Sequence, residues 1–183
     1  MTDRPVLAHR LFFALRPPPA IADRIIASAA VLGHRLIAAD RLHITMFILD
    51  DLEQLDHAIV ALLRRVGDAV DAPAVPIMLD RLVASHRSSA LRPGDGASGL
   101  MTLYRQIAGL ARSAGIAERR GYRFSPHLTL GYRKGDAFSQ PVTPVGWIAD
   151  ELVLIHSHVG QTRHDTLARW RLAGASPGQP TLL

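Results

Sequence analysis

The chain of 183 residues has no cysteine, a single lysine (Lys134) and few aromatic side chains, 5% in all. The missing thiols exclude disulfides, thiolate metal centres and cysteine nucleophiles, and fit a reducing compartment. The apolar run from Leu11 to Leu15 is too short for a membrane span or a signal-peptide core, so no membrane association and a cytoplasmic location are the expectation. No Gly-x-Ser-x-Gly elbow occurs. Gly94-Asp95-Gly96 lacks the Lys-Ser/Thr of a phosphate-binding loop. Arginine supplies the other 20 of 21 basic residues. The net charge of +5 suits an anionic partner, but the arginines are scattered with no long basic run.

Hydrophobic residues make up 48%, enough for one domain with a proper core. Residues 9–15 read as a strand. Pro17-Pro18-Pro19 ends it and opens a helix from Ala20 to about Leu36, with Ile21, Ile25, Ala29 and Leu32 at helical spacing and Gly33 a candidate end within the run. A strand over 42–49 follows. Asp50-Asp51 reads as turn and N-cap of a helix from Leu52 to about Val70. Two strands are expected over 75–91, a helix over 98–114 with Gly115 at its end, and a strand around 127–131. Pro and Gly between 135 and 146 suggest a loop, and strands over 151–159 and 166–172 close the pattern. The class is α+β: a single domain over 1–174, with a Gly/Pro/Ser-rich tail over 175–183 expected to be disordered.

Two stretches share one pattern. Leu42-His43-Ile44-Thr45-Met46-Phe47 and Pro126-His127-Leu128-Thr129-Leu130 alternate apolar residues with His and Thr. On a strand, residues i and i+2 share a face roughly 6 to 7 Å apart, so each His projects beside its Thr. Each motif ends a strand–helix–strand unit (9–49 and 87–131), a loose internal repeat consistent with pseudo-twofold symmetry. Two imidazoles flanking one phosphate can divide the work, one taking a proton from the attacking oxygen and the other giving one to the leaving oxygen. Two hydroxyls can donate to the non-bridging oxygens. No metal or cofactor is needed for such chemistry.

Other histidines carry weaker signals. His156 and His158, with His164, could share a metal, but a solvated strand face is the favoured reading. His9, His34, His57 and His86 are isolated in spacing and expected on surfaces; Arg41 and Arg123, near the motifs, could touch an RNA backbone, with a plain surface position the favoured reading.

The paired motifs resemble the signature of the 2H phosphoesterase superfamily, and most closely its bacterial RNA 2′,3′-cyclic phosphodiesterase branch, historically called 2′-5′ RNA ligases. Arg10-Leu11-Phe12-Phe13-Ala14-Leu15 is similar to that branch's opening strand, Leu42 to Leu49 to its first motif and Phe124 to Gly131 to its second. The resemblance spans residues 9–172. It implies a bilobal α+β fold, two antiparallel sheets with outer helices around a central groove. A monomer is the expectation. It implies metal-independent opening of RNA or nucleoside 2′,3′-cyclic phosphate ends, and ligation in reverse. His43 and His127 become the acid/base pair, and Thr45 and Thr129 the phosphate donors. Tyr132 stands where the branch usually has arginine, and the next residue, Arg133, shares the odd parity of His127 and Thr129, which would turn it to the groove. Leu49-Asp50-Asp51 stands where a glycine is common after the leucine, a change for the turn more than the chemistry. Tyr132, Phe12 and Phe47 are further substrate contacts to test, with core packing favoured for the phenylalanines. The same motifs would serve another small cyclic nucleotide, ADP-ribose 1″,2″-cyclic phosphate or a 2′-5′ oligonucleotide. A non-catalytic nucleotide- or RNA-binding module is the alternative of a different class.

Overall fold

The computed structural model describes residues 8–94 and 97–173; the tail over 175–183 lies outside them. In chain order the elements are β1 (His9–Leu15), α1 (Pro19–Ala29), β2 (Arg35–Leu36), β3 (Ile44–Ile48), α2 (His57–Asp68), β4 (Val75–Ala84), β5 (Ser88–Arg92), α3 (Ser98–Ser113), β6 (Leu128–Tyr132), β7 (Phe138–Ala149), β8 (Glu151–His158) and β9 (Arg163–Arg171).

The strands run antiparallel in the order β7-β4-β5-β6-β3-β1-β8-β9, with β2 on β6. The two expected sheets are two four-stranded halves of this array. They join through the pairing of Ile44 on β3 with Leu128 on β6. About that point the order is symmetric: β6 matches β3, β5 matches β1, β4 matches β8 and β7 matches β9. The internal repeat thus maps onto a pseudo-twofold axis.

One face is packed by the helices. Ala22, Ile25 and Ala29 of α1, Val60, Leu63 and Val66 of α2, and Leu100, Leu103, Ile107 and Ala111 of α3 lie in one core with Leu11, Phe13, Ile44 and Leu128. Helical spacing of these apolar residues makes each helix one-sided, and burying each large side chain contributes roughly 1.5–3 kcal/mol. A small second cluster on the opposite face, of Phe12, Ala14, Ile48, Val153 and Ile155, packs against Tyr122.

Three expectations need correction. Residues 138–149 form strand β7 despite Pro141, Pro144 and Gly146. Among the described residues it is an edge strand, paired only to β4, and proline is tolerated where one side of a strand has no ladder to complete. Helix α1 ends at Ala29, followed by a single 3-10 turn to Leu32, because Gly33 takes the left-handed conformation at φ 65°. Helix α2 starts five residues late: Asp56, not Asp50 or Asp51, caps it, its carboxylate accepting from the amides of Ala58 and Ile59. Asp51 instead accepts from the guanidinium groups of Arg10, at 2.7 Å, and Arg119.

Candidate active site

The Ile44–Leu128 pairing organises the site. These two side chains point into the helix-covered core, both fully buried. Continuing the antiparallel register one step each way sets His43 across from Thr129 and Thr45 across from His127. Neighbours on a strand point to opposite faces, so all four polar side chains emerge on the face away from the helices.

Both imidazoles are held the same way. His43 Nδ1 lies 2.7 Å from the carbonyl oxygen of Arg41, and His127 Nδ1 lies 2.8 Å from that of Ser125, in each case two residues back. A carbonyl only accepts, so Nδ1 carries the proton and each neutral ring keeps its Nε2 lone pair for chemistry. Local sequence sets up these carbonyls. On the first side a 3-10 turn over Ala39–Arg41 delivers Arg41. On the second, Pro126 restricts Ser125 to extended backbone. Arg92 donates to Ser125 Oγ at 2.9 Å, and Phe124 stacks on Tyr104 of α3 with ring centroids 4.2 Å apart.

A cleft of about 410 Å³ opens over this face, lined by residues including Arg10, Phe12, Arg41, His43, Thr45, Thr129, Tyr132 and His164. Larger depressions of about 690 and 570 Å³ lie beside Pro17–Pro19 and against α1 and β7; neither is lined by a motif histidine or threonine.

The field in the cleft is positive. Burial, with the nearby charges of Arg16, His127 and Arg41 adding to it and the Arg41 carbonyl opposing, pushes the His43 pKa down to about 4. His164 stands edge-on to His43 at 5.5 Å and to Phe12 at 5.7 Å, its pKa pushed down to about 3, first by burial and then by His43 and three arginines. The Nε atoms of Arg16, Arg41 and Arg92 are buried and without a hydrogen-bond partner among the described residues. Arg16 and Arg92 occupy matching places: Arg16 follows Leu15, which pairs with Ile44, and Arg92 follows Leu91, which pairs with Leu128. A groove lined by the guanidinium groups of Arg10 and Arg41, two hydroxyls and the His43 imidazole, with His127 set across from Thr45 beside it, is built to hold an anion and move protons across it.

Each motif strand carries a β-bulge directly after its threonine. On β3, Thr45 pairs with Ala14 and Phe47 with Phe13, so Met46 has no partner. On β6, Thr129 pairs with Ala90 and Gly131 with Ser89, so Leu130 has none. One extra residue reverses the alternation beyond it. This takes two candidate substrate contacts out of the groove. Phe47, for which core packing was the favoured expectation, turns into the helix-side core, 1% exposed. Arg133 turns away from the groove; its guanidinium donates to the carbonyls of Ser85 and Asp136 and lies over the Phe138 ring. By the same shift Tyr132 faces the cleft, 60% exposed. Phe12 lines it too, its ring 4.9 Å from His43, but at 3% exposure it serves as a wall under the imidazole.

Arg16, Arg10 and Arg92 are not among the groove residues expected from the sequence; His164 stands out there only in a candidate metal group, and Arg41 is expected at the surface. Arg16 and Arg92 have a signal in the sequence, since each immediately follows a repeat strand's last core leucine. His164 has none, because β9 reaches the cleft only through the β8–β9 hairpin. Nor are His156, His158 and His164 one group: His164 lies in the cleft, whereas His156 is buried, 4% exposed, and stacks on His9. His9 is therefore not an isolated surface residue. His34 is half-buried, with Nε2 2.7 Å from Ser89 Oγ; His57 and His86 are exposed, as expected.

Residues 17–161 match the family model described as the 2′-5′ RNA ligase superfamily. The chain belongs to this superfamily. It matches no curated protein. Among solved structures, one titled a phosphoesterase is 25% identical with TM-score 0.76, over 91% of this chain and 99% of that one. E. coli LigT, solved in complex with 3′-AMP, is 25% identical with TM-score 0.74, over 91% and 98%. A protein of Thermus thermophilus shares the fold at 18% identity and TM-score 0.70, over 91% and 100%. Superfamily membership and these likenesses support a phosphoesterase-type activity. Among the described residues, no helix of this superfamily member is long and apolar enough to cross a membrane.

Proposed function

We propose that the protein hydrolyses 2′,3′-cyclic phosphate ends of RNA or nucleosides to 2′-phosphomonoesters, without a metal. The observation that carries this reading is the Ile44–Leu128 pairing, which sets two identically tethered histidines and two threonines around one point on the open sheet face. Nucleotide complexes of E. coli LigT, with 3′-AMP, ATP and NADP+, support a nucleotide-bearing substrate.

The cyclic phosphate sits between the two imidazoles. Thr45 and Thr129 donate hydrogen bonds to its non-bridging oxygens, where charge grows as water adds to phosphorus. One neutral imidazole takes a proton from the water. The P–O3′ bond breaks, and the opposite imidazolium gives its proton to O3′. The pair ends with its proton on the other ring, and exchange with solvent resets it. In the free groove His43 is neutral at pH 7, with its pKa near 4. It serves as base directly, and as acid only once the phosphate's negative charge draws a proton onto it. With a 5′-hydroxyl in place of the water, the same steps open the cyclic phosphate onto that oxygen: P–O5′ forms, P–O3′ breaks and O3′ takes the proton, leaving a 2′-5′ linkage. Tyr132 offers an exposed ring for a base at the mouth of the cleft.

The test is turnover of 2′,3′-cyclic AMP and of a cyclic-phosphate RNA end by purified protein in EDTA. His43→Ala and His127→Ala should each lower kcat by roughly 10²–10⁴-fold, the usual weight of a general acid or base. Equal rates for wild type and both variants would end the proposal. Tight binding of 2′-AMP with no turnover would instead mark a binding module.

A further inference from the structure

We propose that His9, His156 and His158 form a binding site for a divalent transition-metal ion of the zinc class, separate from the phosphate groove. His9 opens β1 and pairs directly with His158 at the end of β8; His156 lies two residues back on the same face. That face is the one Leu11 and Phe13 share, whereas Arg10 and Phe12 turn to the cleft. His158 is the residue that the cluster and the cleft rim have in common.

Each ring can offer one nitrogen, and these three atoms all lie within 4.8 Å of one another. His9 Nδ1 and His156 Nε2 are only 2.8 Å apart. Two Zn–N bonds of about 2.0 Å at a tetrahedral angle separate their nitrogens by about 3.3 Å. A few tenths of an ångström of opening would therefore seat an ion. The rings of His156 and His158 are 4.1 Å apart, centroid to centroid.

A second feature points to a ligand. His158 Nε2 is 2.7 Å from a carboxylate oxygen of Asp165, which sits across β9 from His156. That bond fixes the tautomer, Nε2 donating to the carboxylate, and leaves the lone pair of Nδ1 free. A carboxylate on the far nitrogen of a histidine is how metal-ligating imidazoles are usually oriented and made more basic. Asp165 is in turn held by Arg163, through Nε at 2.9 Å and Nη2 at 3.0 Å. Three imidazoles suit zinc, cobalt, nickel or copper and not calcium or magnesium, which prefer oxygen. A bound ion would tie the start of β1 to the β8–β9 hairpin, the element that carries His164 into the groove.

Metal-stripped full-length protein is titrated with ZnCl2 by calorimetry and with CoCl2 by visible absorption. One site is expected, with the d–d bands of a nitrogen-ligated cobalt. His9→Ala and His158→Ala should abolish it, and Asp165→Asn should weaken it about 10–100-fold. His43→Ala and His164→Ala should keep it. The wild-type Tm should rise with zinc, as for any ligand that binds the folded state alone. If a variant does not fold, imidazole NMR of the wild type still decides: of nine histidines, zinc should shift the resonances of His9, His156 and His158. Shifts confined to His43, His127 and His164, unchanged binding in the His9 and His158 variants, or no binding at all would overturn the proposal. The cyclic-phosphate assay in EDTA reports separately on the groove.

Discussion

His43 has its proton affinity lowered by the scaffold. Burial removes the water that would solvate an imidazolium, and Arg16 and Arg41 add positive charge beside it. In the free protein its imidazole should titrate near pH 4 by NMR. Inorganic phosphate or 2′-AMP should raise that midpoint, because an anion within a few ångströms favours the charged ring. A free-protein midpoint at the ordinary 6.5 would show that the groove lacks this field. Tyr132 and Arg133, adjacent in sequence, should also part company. Tyr132→Ala should weaken substrate binding by the roughly 1–3 kcal/mol of a base–aromatic stack. Arg133→Ala should leave KM and kcat nearly unchanged, since its guanidinium is engaged with the Ser85 and Asp136 carbonyls on the far side. A KM rise for Arg133→Ala as large as that for Tyr132→Ala would contradict the bulge assignment.

Among elements, the two bulges separate what each motif strand does before and after its threonine. Before it, His and Thr face the phosphate groove; after it, the alternation has reversed, and Phe47 and Gly131 face the other way. Gly131 shows how tight the second strand is: a Cβ there would run into the Arg35 carbonyl oxygen of β2. Helix α2 depends on its cap. The Asp56 carboxylate lies 2.8 Å from the Ala58 amide, so Asp56→Ala should cost about 1 kcal/mol in urea unfolding. Asp50→Ala should cost less, since Asp50 lies six residues before the cap and accepts from the exposed Arg120, through its amide at 3.2 Å; a larger loss than for Asp56→Ala would contradict Asp56 as the cap.

Across the whole molecule, histidines that the fold buries wholly or in part make stability depend on pH. His43, His164 and His156 all have folded-state pKa values below the ordinary 6.5, chiefly through burial. Above pH 6.5 both folded and unfolded chains carry them neutral, and no penalty exists. As pH falls below 6.5 the unfolded chain takes up protons that the folded chain resists, so stability declines down to the folded values near 4 and 3. Asp51 and Asp165, held low by arginine partners, add to the loss only as pH approaches their ordinary 3.8 and drops beneath it. The urea midpoint at pH 4.5 should therefore lie below that at pH 7. A midpoint that holds or rises would mean that these histidines protonate freely in the fold.

The amino-acid order alone determined the α+β class, the three one-sided helices and the two His-x-Thr strands, because alternation and helical spacing are properties of neighbours along the chain. It also carried the repeat, which the sheet turns into a pseudo-twofold axis. Only the tertiary structure decided the rest. Whether a proline-containing segment such as 138–149 is a strand depends on its having an edge to occupy. Whether Phe47 and Arg133 reach the groove depends on bulges that exist only against the partner strands β1 and β5. That His164 reaches His43, and His9 reaches His156, rests on hydrogen-bonded pairing of segments more than a hundred residues apart, which no local pattern encodes.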